Sequence, residues 1–359
     1  MSQMMFTVGL SGLLSLILLV ALRPVAVRVR LMDHPMHRKS HKAAVPLTGG
    51  LSIALGLSGA WIVTMPLSGG YGIFLLCSAA LVCLGALDDA RDLSPQLRLW
   101  IQAVLGALLT YGSGIGLTTL GDLLGQGDIL LGWLGPLITM AAIIGATNAF
   151  NMIDGIDGLI GTTTLVALVG LLLLFARSSG GDTAEIVLAA AMAVAMVPYL
   201  MANLRVRPFR RTVFMGDAGA MFVGISLVWL FAKGSAGDAP ALRPVTALWL
   251  VAVPLMDMVA IMIRRVRRGQ SVLQADRQHL HHMFLRAGYS DRQALSMITA
   301  LAAALAAFGV AGEWLGVPEW LMFALFLALF ASYLVVLSRI WHLLVKVRRI
   351  RGRFRGRQG

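Results

Sequence analysis

MMFTVGLSGLLSLILLVAL, residues 4–22, runs nineteen residues without a charge before Arg23 ends it. As a helix this segment is about 28 Å long, close to the ~30 Å hydrocarbon core of a bilayer. Ten further stretches of comparable apolar length follow, at 47–66, 71–87, 97–113, 132–150, 159–176, 184–202, 216–232, 245–263, 294–312 and 319–341. The composition agrees. Of 359 residues 58% are apolar and 13% charged, and mean hydropathy is +0.81, whereas soluble domains run about 45–50% apolar and about 25% charged. A water-soluble enzyme, a disordered chain and a secreted disulfide scaffold are excluded. Cys77 and Cys83, six residues apart in one apolar run, suggest neither a disulfide framework nor a metal site. The sequence therefore predicts an all-α, polytopic integral membrane protein of about eleven transmembrane helices. It forms one multi-span domain over 1–345, with a basic tail at 346–359.

Charge sets the expected orientation. The first stretch lacks the basic start of a signal peptide, which suits a retained anchor with its N-terminus outside. The cytoplasmic segments are then 23–46, 88–96, 203–215, 264–293 and the tail after 341. With Arg98 and Arg339 they hold 27 of the 30 Lys and Arg, leaving Arg177, Lys233 and Arg243 on the other face. This is a strong positive-inside bias, and it places the C-terminus in the cytoplasm. The tail KVRRIRGRFRGR carries seven of these basic residues and reads as an anchor on anionic lipid, at about 1 kcal/mol per residue. No nucleic-acid-binding fold accompanies it.

The 17 acidic residues carry more information, because carboxylates contribute little to topology. LGALDDARDLSP places Asp88 and Asp89 where the third stretch meets the cytoplasm. NAFNMIDGIDGL places Asn148, Asn151, Asp154 and Asp157 at the end of the fifth, and FMGDAGAMFVG places Asp217 at the start of the eighth. Three segments thus bring oxygen ligands to one membrane face, where carboxylates are costly. Such ligands suit Mg²⁺ or Mn²⁺ better than zinc. Gly155 and Gly158 predict that the helix loosens into a loop whose amides can approach an anion.

QADRQHLHHMFLRAG adds Arg277, His279, His281 and His282. On a helix His279 and His282 share a face. A diphosphate grip, a zinc site and a polar loop with no shared task are all open readings, and the neighbouring acids favour the first. In DHPMHRKSHKAAVPLTGG, Arg38, Lys39, His41 and Lys42 precede Gly49 and Gly50 at a helix start, an arrangement suited to an anion seat. Asp257, inside the ninth stretch, is read evenly as a site residue or a hydrogen-bonded packing residue.

These parts suit transfer between a water-soluble phosphorylated donor and a lipid-borne phosphate, where positioning and charge neutralisation dominate. An ion-coupled transporter is the rival, but transporters place such groups near the midplane and carry internal repeats. Here the acids gather at one edge, only Asp257 lies deep, and no convincing repeat is seen.

In LDDARDL, NAFNMIDGIDGL, FMGDAGA and DRQHLHHMFLRAG the chain resembles, over most of its length, the polyprenyl-phosphate N-acetylhexosamine-1-phosphate transferases. The HLHH form followed by RAG is similar to the branch acting on undecaprenyl phosphate with GlcNAc 1-phosphate. Ala220 departs from the Ser frequent in relatives. The resemblance implies a Mg²⁺-dependent (or Mn²⁺-dependent) enzyme of the bacterial cytoplasmic membrane with its site facing the cytoplasm. Its partners are UDP-GlcNAc and undecaprenyl phosphate in the bilayer, and its products undecaprenyl-diphospho-GlcNAc and UMP, the start of a lipid-linked surface polysaccharide. Another UDP-N-acetylhexosamine donor is the alternative. By the same resemblance Asp88, Asp89, Asp154, Asp157, His279 and His282 are expected to be catalytic. Asn148, Asn151, Arg277, His281, Lys42, Gly49 and Gly50 are expected to bind substrate, and Asp217, Asp89 and Asp154 to hold metal. Direct attack and a two-step route both stay open, as does the oligomeric state, a homodimer included.

Overall fold

The computed structural model describes residues 2–33, 44–178, 184–209, 212–237, 239–271 and 279–339. Lys42, Arg277, their basic neighbours Arg38, Lys39 and His41, and the tail at 346–359 lie outside the described residues. Thirteen helices are described: α1 (Ser2–Arg28), α2 (Gly49–Thr64), α3 (Tyr71–Arg91), α4 (Pro95–Ser113), α5 (Gly135–Ile153), α6 (Leu159–Ser178), α7 (Ala184–Asn203), α8 (Gly216–Gly234), α9 (Pro244–Leu250), α10 (Ala252–Arg267), α11 (Leu280–Arg286), α12 (Asp291–Trp314) and α13 (Glu319–Ser338). Two short antiparallel strands, β1 (Met32–Asp33) and β2 (Val45–Pro46), pair Met32 with Pro46 and Asp33 with Val45.

Among the described residues eight helices are long and apolar enough to cross a membrane: α1, α3, α5, α6, α7, α8, α12 and α13. The predicted stretch at 47–66 forms α2, an apolar helix of only 16 residues, and 97–113 forms α4, which is not among the eight. The stretch at 245–263 is not the straight span expected. It breaks at Val251 into α9 and α10, bent by 85°. Pro254 follows the break in the first turn of α10, where a missing N–H breaks no helical bond.

The most apolar window of α8 is 83% buried, which makes this helix the centre of the bundle. It packs on α2, α3, α5, α6 and α7. At its C-terminal end Trp229 stacks on Phe74 (centroids 5.1 Å apart) and meets the edge of Tyr71, which lies against Trp61. The three cations on the basic-poor face are each held. Arg177 lies over the Trp314 ring, Lys233 lies over Tyr71 and Trp229 and 3.7 Å from Glu185, and Arg243 pairs with Glu313 at 2.9 Å. At the N-terminal end of α8, β2 and the start of α2 zip onto the segment leading into that helix. Phe214 N–H donates to Pro46 O, Gly49 N–H to Phe214 O and Gly50 N–H to Met215 O, at 2.9–3.0 Å.

Candidate active site

Asp89 lies in the last turn of α3 and reaches the N-terminus of α8. Both its carboxylate oxygens accept the Asp217 backbone N–H, at 3.0 and 3.1 Å. A carboxylate here satisfies an otherwise orphaned amide and sits at the positive end of the helix dipole. Gly216 makes the approach feasible: its φ of +73° suits only glycine, and a side chain there would collide with Asp89 Oδ2.

Asp88, expected to act alongside Asp89, joins the same cluster through Arg98, whose Nη1 it shares with Asp217. It is buried, its Oδ1 accepts Leu93 N–H at 2.8 Å, and its Oδ2 pairs with Arg98. Arg98 Nη1 also lies 3.3 Å from Asp217 Oδ2, while Asn151 Nδ2 donates to Asp217 Oδ1 at 2.6 Å. Arg98 and Asn151, from α4 and α5, thereby hold the Asp217 carboxylate from two sides. Arg98 was not predicted as a site residue. Its signal was its place in the first turn of α4, announced by the cap Ser94 and by Pro95. A cation opposes the dipole there and calls for nearby carboxylates.

The loop between α5 and α6 spans 154–158, where Gly155 and Gly158 predicted a break. Three of its five amides are engaged. Asp154 N–H and Gly155 N–H bond to Asn151 O and Ile153 O, and Gly158 N–H bonds to Asn203 Oδ1. Asn203, buried at the end of α7, also donates to Val213 O at 2.8 Å, so one unpredicted amide ties this loop to the approach to Asp217. Asp154 is itself exposed. The protein packed around it, then the charges of Asp89 and Asp157, push its carboxyl up to about 7. Asp157 pairs with Arg205 at 3.7 Å. Asn148 donates to Gln102 on α4 and to Ile144 O.

Gly49 and Gly50 are not an anion seat. Their amides are spent on Phe214 and Met215, and both residues are buried where a Cβ would strike Tyr199 or Gly219. They serve close packing, which draws α2 onto the start of α8.

The histidines also depart from the helical expectation. His279 is the extended N-cap of α11, so it shares no helix face with His282. Its ring is parallel to that of His281, with centroids 5.8 Å apart, and His281 lies 4.2 Å from His282. His281 is 2% exposed, neither ring nitrogen has a hydrogen-bond partner among the described residues, and its Nε2 lies where a Cβ on Gly155 would be. Burial first, then the neighbouring histidines, pull its pKa down to about 3, so it is neutral. The contact with Gly155 joins the histidine segment to the carboxylate cluster. Asp257, undecided from sequence, is 2% exposed, and its Oδ2 lies 2.8 Å from His279 Nδ1.

Segments 88–89, 151–157, 217 and 279–282 therefore converge. The donor set around Asp89, Asp154 and Asp217 is all oxygen and mostly anionic, which fits a hard dication. Among the described residues no group of three or more His, Cys, Asp or Glu forms a ready-made metal cage. That geometry still suits Mg²⁺, which is usually held by one or two carboxylates together with substrate phosphates.

Residues 71–235 match the family described as Glycosyl transferase family 4, a range that includes every site segment except the histidines. The chain is 40% identical over 344 residues (96% of its length, 94% of the relative) to the undecaprenyl-phosphate alpha-N-acetylglucosaminyl 1-phosphate transferase of Yersinia pestis. It is equally similar to the proteins of the same name from Escherichia coli strain K12 (94% of this chain, 92% of the relative) and Pasteurella multocida (93% and 94%). With near-complete coverage at this identity, the chain belongs to glycosyl transferase family 4, among the polyprenyl-phosphate N-acetylhexosamine-1-phosphate transferases.

Proposed function

We propose that the chain transfers N-acetylglucosamine 1-phosphate from UDP-GlcNAc to undecaprenyl phosphate, giving undecaprenyl-diphospho-GlcNAc and UMP. The observation that carries this reading is the meeting of Asp89, Asp217, Arg98 and Asn151 at the N-terminal end of α8, in a chain that is 40% identical to enzymes named for this transfer. An oxygen of the lipid phosphate forms the new bond to the sugar-bearing phosphorus, and the bridging oxygen leaves with UMP.

The nucleophile is already anionic, with roughly −1.5 to −2 charge by analogy with other phosphate monoesters, so repulsion is the main obstacle rather than activation. Asp217, held by Arg98 and Asn151, together with Asp89 and Asp154, is the set to hold Mg²⁺ or Mn²⁺, which when bound supplies neutralisation across the diphosphate oxygens. Arg98 keeps a positive charge beside this cluster. His279, with Nδ1 against Asp257, keeps Nε2 for a phosphate or sugar oxygen.

We further propose eleven crossings. The eight long helices, the bent pair taken once, α2 and α4 supply them, and the basic bias then puts this site on the cytoplasmic face of a bacterial membrane.

Purified protein in detergent should release UMP from UDP-GlcNAc only with undecaprenyl phosphate and a divalent cation present. UMP release without lipid phosphate, or full turnover in excess chelator, refutes the reading. A panel of UDP-N-acetylhexosamines in the same assay checks the donor.

A further inference from the structure

Asp257 makes three contacts at once. Its Oδ2 lies 2.8 Å from His279 Nδ1, and its Oδ1 accepts both Leu280 N–H at 3.0 Å and Tyr333 O–H at 2.7 Å. Asp257 and His279 are 2% and 6% exposed, and Ala260, Met283 and Leu337 close an apolar cluster around them from α10, α11 and α13. Tyr333 is unexpected in this role. Only 17% of the most apolar window of α13 is buried, yet this peripheral helix sends one hydroxyl inward to a carboxylate. In such dry surroundings these hydrogen bonds are strong, and an unmade one is costly.

We infer that Asp257 and Tyr333 are positioning residues for His279: they fix its proton on Nδ1, aim its Nε2, and couple the last helix to the active site. A carboxylate only accepts, so His279 must place its Nδ1–H toward Asp257. Leu280 N–H and Tyr333 O–H pin Oδ1, leaving Oδ2 alone to face the ring. Among the described residues, Asp257 on α10 and His281 on α11 face His279, with Tyr333 on α13 behind Asp257, Arg264 acting on Tyr333, and His282 beside His281.

The same pinning makes Asp257→Asn a sharp test. Its amide oxygen must take the place of Oδ1, because both donors point there. The NH2 group then faces His279 and forces the proton to Nε2, the wrong tautomer for a site built on the other. Imidazole ¹⁵N spectra of histidine-labelled protein, assigned by His279→Gln, should show Nδ1 protonated in the wild type and Nε2 alone protonated in Asp257→Asn. This measurement needs no substrate and stands apart from the transferase reading. The activity arm rests on that reading: Asp257→Asn and His279→Gln should each lower kcat by about 10²-fold or more. The double variant should lose no more than either single one, because the two act as a unit. Tyr333→Phe, which keeps the ring packing, should cost about three- to tenfold. An unprotonated Nδ1 in the wild type, an unchanged tautomer in Asp257→Asn, or losses that multiply in the double variant would each overturn the inference.

Discussion

Gly50 is where packing and chemistry can be separated by one methyl group. It sits in the first turn of α2, and a Cβ there would collide with the Cα and N of Gly219 and lie 2.7 Å from the Met215 carbonyl oxygen. All three atoms are backbone, so no side chain can swing aside and the two helix ends must part, by on the order of 1 Å. Overpacking of this kind costs about 1–3 kcal/mol, offset by the ~0.5–1 kcal/mol that alanine gains over glycine within a helix. Gly50→Ala should therefore lower stability by roughly 1–2 kcal/mol. Its larger effect should be on turnover. The displaced end of α8 carries Asp217, whose 3.0–3.1 Å contact with Asp89 and 2.6 Å bond from Asn151 depend on that placement. Misplacement by about 1 Å can cost ~10²-fold. Gly59→Ala in the same helix is the control, since its added Cβ meets only Leu14 Cδ1 at an ordinary 3.5 Å. Thermal unfolding followed by tryptophan fluorescence in detergent, and UMP release on the same samples, compare the two. If Gly50→Ala matches Gly59→Ala in both, the claim that backbone contact between α2 and α8 sets the site is wrong.

Asp89→Asn keeps an oxygen to accept the Asp217 amide, so α8 stays capped and the protein should insert and melt normally while turnover falls on the order of 10²-fold; retained turnover removes the Asp89 charge from the mechanism. Arg98→Ala leaves the Asp88 carboxylate, 3% exposed, without its cation. The expected loss is roughly 2–3 kcal/mol, below the ~3–5 kcal/mol of a fully buried pair because a quarter of the Arg98 side chain stays wet, and Asp88→Asn in the same background should recover part of it in thermal melts. For His281 the sign follows from its lowered pKa. The unfolded chain takes up a proton near pH 6.5 and the folded one only near 3, so its contribution is complete above 6.5 and declines as pH falls from 6.5 toward 3, by at most ~1.4 kcal/mol per unit. Melting curves of wild type and His281→Phe between pH 7 and 4.5 should converge or cross as the pH drops, and parallel curves contradict the buried neutral ring.

The helical membrane class was legible in the sequence because hydrocarbon length and side-chain hydropathy are local quantities. The acids were legible because a carboxylate at a membrane edge is costly wherever its neighbours lie. What failed was partner choice. A glycine pair at a helix start offers free amides to an anion or a flat surface to another backbone, and Gly49–Gly50 has one composition for both. Only Phe214, Met215 and Gly219, more than 160 positions away, decide it. The histidine prediction assumed a helix through His279, and the extended cap at that residue turns its ring toward His281 instead. Asp257 looked equivocal because a straight span would have buried it in lipid. The 85° bend at Val251 redirects α10 so that this carboxylate meets α11 and α13.

The arrangement explains why a phosphoryl-transfer site can stand at the edge of a bilayer with few loops of its own. Asp89 ends one helix, Asn151 lies in the last turn of a second and Asp217 opens a third, so their spacing is inherited from helix packing and resists the mobility that loops bring. The repulsion among these carboxylates is balanced by Arg98 and by the amide at the start of α8. The histidine segment is built differently. It hangs on α10 through Asp257, on α13 through Tyr333 and on the 154–158 loop through the contact of His281 with Gly155. A rigid carboxylate half and a suspended histidine half divide the work in a physically sensible way. In the proposed reaction, charge neutralisation must be fixed in place to favour the transition state, whereas the histidines proposed to grip the donor must admit it and let the product go.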